Sequence, residues 1–154
     1  MNKAKEARKY FDNHFNCAQS VLVAFVNEFN IPEDVALRIA CAFGGGMGRQ
    51  QFTCGAVSGA LMIIGLKYGK SLNDSEEKKK LTYNKTVEFI NEFKKINGSI
   101  CCKDLLDGLD MNNEEDFKKI LSQNMFQIHC GKYVEDAVAI VEKIIDENNK
   151  YNIE

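Results

Sequence analysis

Six cysteines, Cys17, Cys41, Cys54, Cys101, Cys102 and Cys130, are the residues of this 154-residue chain whose type and placing point to chemistry. A thiolate attacks disulfides and binds metals. No C-x-x-C occurs, so neither a thioredoxin-type pair nor a zinc ribbon follows from spacing. Four of the six share a position instead. Asn16 reads as a cap in front of Cys17, Thr53 in front of Cys54 and Ser99 in front of the Cys101-Cys102 pair, while Cys130 opens the last helical pattern. Unpaired N–H groups and the positive dipole end at a helix start stabilise a thiolate, and can bring its pKa from roughly 8.5 to about 3.5–7.5. Lys103 beside Cys102, and His129 and Lys132 beside Cys130, would add to that effect. Taken singly, each cysteine reads first as a small core hydrophobe and only second as a nucleophile. Cys41, next to Ile39, Ala42 and Phe43, keeps that reading. Cys101 could close only a strained vicinal disulfide with Cys102.

The element that must position these thiols runs from Cys41 to Gly69. Gly44, Gly45, Gly46 and Gly48 form a loop in which at least one positive φ is expected. From Thr53 the chain carries no charge until Lys67, and Gly69 suits a helix stop, which predicts a buried helix over about 54–68. Gly55 and Gly59, with Ala56 and Ala60, lay a strip of small residues on it where another backbone can approach, in this chain or in a homodimer. The uncharged run from Gln50 to Leu66 falls short of the roughly 20 apolar residues a membrane span needs. The loop admits an anion at the start of this helix. It lacks a G-K-[ST] ending and follows a helix, so it is neither a P-loop nor a dinucleotide fingerprint.

The remaining patterns predict helices over about 3–12, 17–29, 33–43, 74–96, a short one after Ser99 stopped by Gly108, one within 109–123 with Phe117, Ile120 and Leu121 facing in, and one over about 131–148 with Val134, Val138, Val141 and Ile145 at heptad-like spacing. Asn16 and Gln19 are spaced as a capping box. With one proline and no alternating run, the fold class is all-α, a single-domain helical bundle over 1–154 around the small-residue helix. Twenty basic and 22 acidic side chains leave a formal charge of −2, which does not suggest nucleic acid as a partner. The N-terminus has no apolar signal region, and a helical chain of this size does not need disulfide staples, so a cytoplasmic location is expected.

The segments FNCAQSVL, FGGGMGRQQFTCGAVSGALMIIGLKYG, CCKDLL and HCGKYVEDAVAIVEKI resemble the signature of the C-GCAxxG-C-C family of redox-active proteins. The resemblance covers most of the chain and implies that Cys17, Cys54, Cys102 and Cys130 are the motif cysteines, with Cys102 preferred to Cys101 because it directly precedes Lys-Asp-Leu-Leu. Three functions stand open. In the first, Cys54 attacks or pairs and one of Cys17, Cys102 or Cys130 resolves, serving a redox partner the sequence does not name. In the second, the same four thiolates hold zinc or an iron-sulfur cluster. In the third, the cysteines only pack a helical interaction module.

Overall fold

Side-chain caps set the first two helix starts. Asn2 accepts the N–H groups of Ala4 and Lys5 and opens α1 (Lys3–Asp12). Asn16 and Gln19 form the expected reciprocal capping box at the start of α2 (Cys17–Val23). The helix expected to continue to Phe29 breaks after Ala24, where the Phe25 N–H bonds back to Leu22 in a tighter turn that puts Phe25 fully inside the core. A short α3 (Val26–Phe29) follows and ends on left-handed Asn30. The next helix, α4 (Glu33–Cys41), stops short of the expected Phe43 as the chain enters the glycine stretch.

That stretch is tighter than a plain loop. A single turn, α5 (Gly44–Met47), contains left-handed backbone, and every residue from Gly45 to Arg49 has positive φ, from 58° to 69°. Glycine carries this conformation without a Cβ clash, whereas Met47 and Arg49 each bear a cost of about 1–2 kcal/mol. The central helix, α6 (Gly55–Tyr68), then begins with Cys54 as its N-cap. Thr53, expected to be the cap, instead pairs with Cys101 in an isolated antiparallel bridge.

Beyond it lies α7 (Glu76–Asn97), closed by left-handed Gly98. Only Phe89 and Phe93 of this helix are fully buried; Leu81, Val87 and Ile96, apolar within the same pattern, are exposed because α7 presents a single stripe to α6 and the last helix. One turn, α8 (Cys102–Leu105), and then α9 (Glu114–Ser122) follow. Leu121, expected inside, is exposed, while Ile120 is buried. A π-helical turn, Phe126–Cys130, runs directly into α10 (Gly131–Glu147), whose Val134, Val138, Val141 and Ile145 are buried as their spacing predicts.

The computed structural model describes residues 2–147, so the expected end of the last helix near Asn148 lies outside the described residues. The architecture is all-α, with α6 at the centre against α2, α7 and α10. Two apolar clusters result. The larger gathers α1, α2, α6, α7 and α10; the smaller gathers Cys102, Leu106, Met111, Ile120 and Met125. Among the described residues no helix is long and apolar enough to cross a membrane.

The small-residue strip of α6 is covered from within. A Cβ on Gly59 would stand 2.8 Å from the Ala18 carbonyl oxygen and 3.0 Å from Val21 Cβ, so α2 lies backbone to backbone on the strip that a homodimer would otherwise use. Gly59→Ala should therefore overpack this contact and destabilise the fold by about 1–3 kcal/mol. Gly65→Ala, on the same helix but with nothing within 4 Å of the new Cβ, should stabilise it by up to about 1 kcal/mol through helix propensity. Urea unfolding of the two variants checks both signs.

Candidate functional site

Three of the four motif cysteines stand at helix starts. Cys17 is the first residue of α2, Cys54 caps α6, and Cys102 begins α8. Cys130 differs: it closes the π-turn inside a continuous helical run, so it has no free helix N-terminus behind it. Arg8 of α1 supports that turn, donating from Nη2 to the Gln127 carbonyl at 2.9 Å and lying against the face of Gly131 that lacks a Cβ. A π-turn adds a residue to the ring of the helix and re-aims the side chains that follow, a recurrent device at functional sites.

The thiols are brought together by backbone pairing rather than by proximity in sequence. Around the Thr53–Cys101 bridge, the Cys54 N–H donates to Ile100 O at 2.7 Å and the Cys102 N–H donates to Phe52 O at 2.6 Å, so the starts of α6 and α8 lie side by side. Across the Gly55 face, the missing Cβ makes room for the Cys17 sulfur: a Cβ there would be 2.9 Å from Cys17 Sγ. Gly46 does the same for Cys102, whose Cβ would be 2.8 Å from a Gly46 side chain. All four motif cysteines line one cavity of about 550 Å³ at the seam between the two apolar clusters, Cys17 and Cys54 from the larger and Cys102 and Cys130 from the smaller.

Electrostatics in this cavity run against the expectation of acidic thiols. Burial pushes Cys17 and Cys54 up and is the largest influence on each; it pushes Cys102 up to about 12 and Cys130 higher still. A helix dipole is worth at most about 2 kcal/mol, under about 1.5 pKa units, whereas burial can raise a thiol by up to about 3–5 units. Burial wins. Within that constraint the thiols are unequal. The N–H groups of Gly45, Cys17, Ala18 and Ala56 act to favour the Cys17 thiolate, drawn from the loop and from the starts of both α2 and α6. Cys54 has two such donors, Val57 and Ala56. Once ionised, Cys17 would be the largest charge acting on each of Cys54, Cys102 and Cys130. It is the hub of the set.

The other two cysteines stand apart. Cys101 donates its thiol proton to the Gln51 carbonyl at 3.4 Å and does not line the cavity. Cys41, expected to be a core hydrophobe, is exposed at the cavity rim, its carbonyl held by Asn16 Nδ2 at 2.9 Å. All six cysteines are free thiols. Among the described residues no group of three or more His, Cys, Asp or Glu side chains is placed to hold a metal ion. His129 and Lys132 do not line the cavity either, and Lys132 is engaged by Asp136 and Asn97.

Sequence reasoning missed two residues that hold the site. Gln51, buried and left-handed at φ 58°, donates from Nε2 to Leu109 O and accepts the Met111 N–H, both at 2.8 Å, which fastens the loop to the smaller cluster. Tyr133 donates its hydroxyl to Leu105 O at 2.9 Å, joining α10 to the end of α8; burial is the main cause that pushes its phenol up to about 12. Tyr133 lies three residues after Cys130, on the same helical face, and that spacing was the available signal. Nothing in the type of Gln51 marked it.

A family model described as "Putative redox-active protein (C_GCAxxG_C_C)" matches residues 15–144. No curated protein and no solved structure matches the chain.

The pKa of Cys102 makes a prediction about stability. Its ordinary value is 9.0 and its folded value about 12, so above pH 9 the unfolded chain ionises this thiol while the folded chain keeps it neutral. The thiol's contribution to stability is thus full below about pH 9 and is lost as pH rises through about 12. Urea unfolding should show the stability of wild type relative to Cys102→Ser constant from pH 7 to 9 and declining above it. A rise over that window would contradict the assignment.

Proposed function

We propose, for a chain that belongs to the C_GCAxxG_C_C family of redox-active proteins, that its redox role is thiol-disulfide exchange with Cys17 as the attacking thiol and Cys54 as the resolving one. The observation that carries this reading is the seat of the Cys17 sulfur: Cys17 opens α2, and its sulfur lies in the space left by the missing Cβ of Gly55 at the start of α6. Burial raises this thiol, and the backbone N–H groups of Gly45, Cys17, Ala18 and Ala56 act against that rise.

In the exchange, Cys17 loses its proton to water at the cavity mouth and its thiolate attacks one sulfur of a substrate disulfide. The substrate S–S bond breaks as the Cys17–S bond forms, and the departing sulfur takes up a proton as a free thiol. Cys54, giving up its own proton, then attacks Cys17 Sγ, releases the second substrate thiol and leaves a Cys17–Cys54 disulfide. The sum is one disulfide reduced to two thiols and one protein dithiol oxidised. Cys102 and Cys130 face this pair from the smaller cluster and supply a second dithiol to which the disulfide can pass. A reducing compartment such as the cytoplasm would return the protein to its starting state.

Because Cys17 is raised by burial, its thiolate is scarce at neutral pH, and the exchange rate should climb through pH 7 to 9 without a plateau. Two variants test the roles. Cys54→Ser should trap one substrate thiol on Cys17, visible by intact-mass spectrometry, while Cys17→Ser should cut the exchange rate by at least about tenfold, in keeping with loss of a nucleophile. A Cys17→Ser protein that exchanges at the wild-type rate would overturn the reading.

A further inference from the structure

The shape and lining of the cavity carry an inference about what enters it. At about 550 Å³ it lies within the roughly 300–1,000 Å³ range of small-molecule sites. Its floor is closed: Cys54 is 5% and Cys102 8% exposed, with Leu105, Leu106 and Met111 buried around them. Its mouth is marked by the exposed lining residues, among them Arg49 and His14. No acidic side chain lines it, among the described residues.

Arg49 is the notable member of that mouth. No carboxylate pairs with it among the described residues; its guanidinium lies 5.9 Å from the centre of the Phe117 ring, and its backbone is held left-handed at φ 62° with the carbonyl accepting from Asn112 Nδ2 at 2.8 Å. A non-glycine residue is kept in that conformation only at a cost, and such cost concentrates at functional sites. A guanidinium with no internal carboxylate, at the mouth of an apolar cavity, is suited to receive one from a ligand.

We infer that the substrate of this site is a low-molecular-weight disulfide bearing a carboxylate, which Arg49 binds at the mouth while the disulfide reaches the thiols below. This rests on the exchange chemistry proposed above and adds the substrate class and the residue that selects it. A protein disulfide fits poorly, because two of the four sulfurs lie on a floor that a folded surface does not reach.

The test compares three small probes and one protein: 5,5′-dithiobis(2-nitrobenzoate), which carries two carboxylates; neutral 4,4′-dithiodipyridine; cationic cystamine; and insulin. Each rate constant is divided by that of the same probe with a free small thiol, which removes intrinsic reactivity, except for insulin, followed as reduction per mole of protein. The dicarboxylate should be favoured over the neutral and cationic probes by about tenfold or more, a factor one charge-assisted bond supplies. Arg49→Gln, a change at an exposed position, should remove that preference and leave 4,4′-dithiodipyridine unchanged, whereas Arg49→Lys should retain part of it. Equal normalised rates for all small probes, an Arg49→Gln protein with the dicarboxylate preference intact, or insulin reduced as fast as the dicarboxylate would each overturn the inference. Loss of Cys17 dependence for every probe would instead overturn the exchange reading beneath it, so the two failures are distinguishable.

Discussion

The close approach of α2 to α6 is the contact on which the rest of the molecule depends. Gly55 and Gly59 present no Cβ, so the Ala18 backbone and the Cys17 sulfur settle into the face of the central helix at van der Waals distance. That one contact does two things. It buries α6 at the centre of the larger cluster, and it directs the N-termini of two helices toward one sulfur. The Asn16 capping box, which fixes the start of α2, and the Asn16 bond to the Cys41 carbonyl hold Cys17 in register with it.

A second constraint is the competition between helix termini and burial. Helix starts favour thiolates by at most a couple of kcal/mol, while removal from water disfavours them by more. The cavity therefore stores its cysteines as neutral thiols. Neutral thiols also avoid the mutual repulsion that four buried anions would suffer, which is what lets sulfurs from two clusters meet at one seam. Reactivity in such a site is conditional on a proton leaving.

Much of the fold was legible in the sequence because its signals are local. The Asn16-Gln19 spacing, the uncharged stretch after Thr53 and the Val134, Val138, Val141, Ile145 series each specify a structure within a few residues, and each was read correctly in kind. What was not legible depends on contacts between distant segments. The break at Phe25 follows from that ring being fully buried; the displacement of Thr53 from cap to bridge follows from pairing with Cys101, 48 residues on. The placing of Cys17, Cys54 and Cys102 at helix starts was legible, but the meeting of the four thiols and the direction of their pKa shifts were not, since both are properties of the packed molecule. Gln51 shows the same limit: its two 2.8 Å bonds to 109–111 exist only once the loop has folded against the smaller cluster.

The central claim is that Cys17 is the hub of a single thiol site spanning the seam between the two clusters. Its most direct measurement is a disulfide map: the reduced protein treated with one equivalent of oxidant, digested under conditions that block exchange, and analysed by peptide mass spectrometry. The account predicts that the dominant bridge contains Cys17, paired with Cys54, and that Cys101 remains a free thiol. Bridges that leave Cys17 free, or oxidation confined to Cys41 and Cys101, would contradict it.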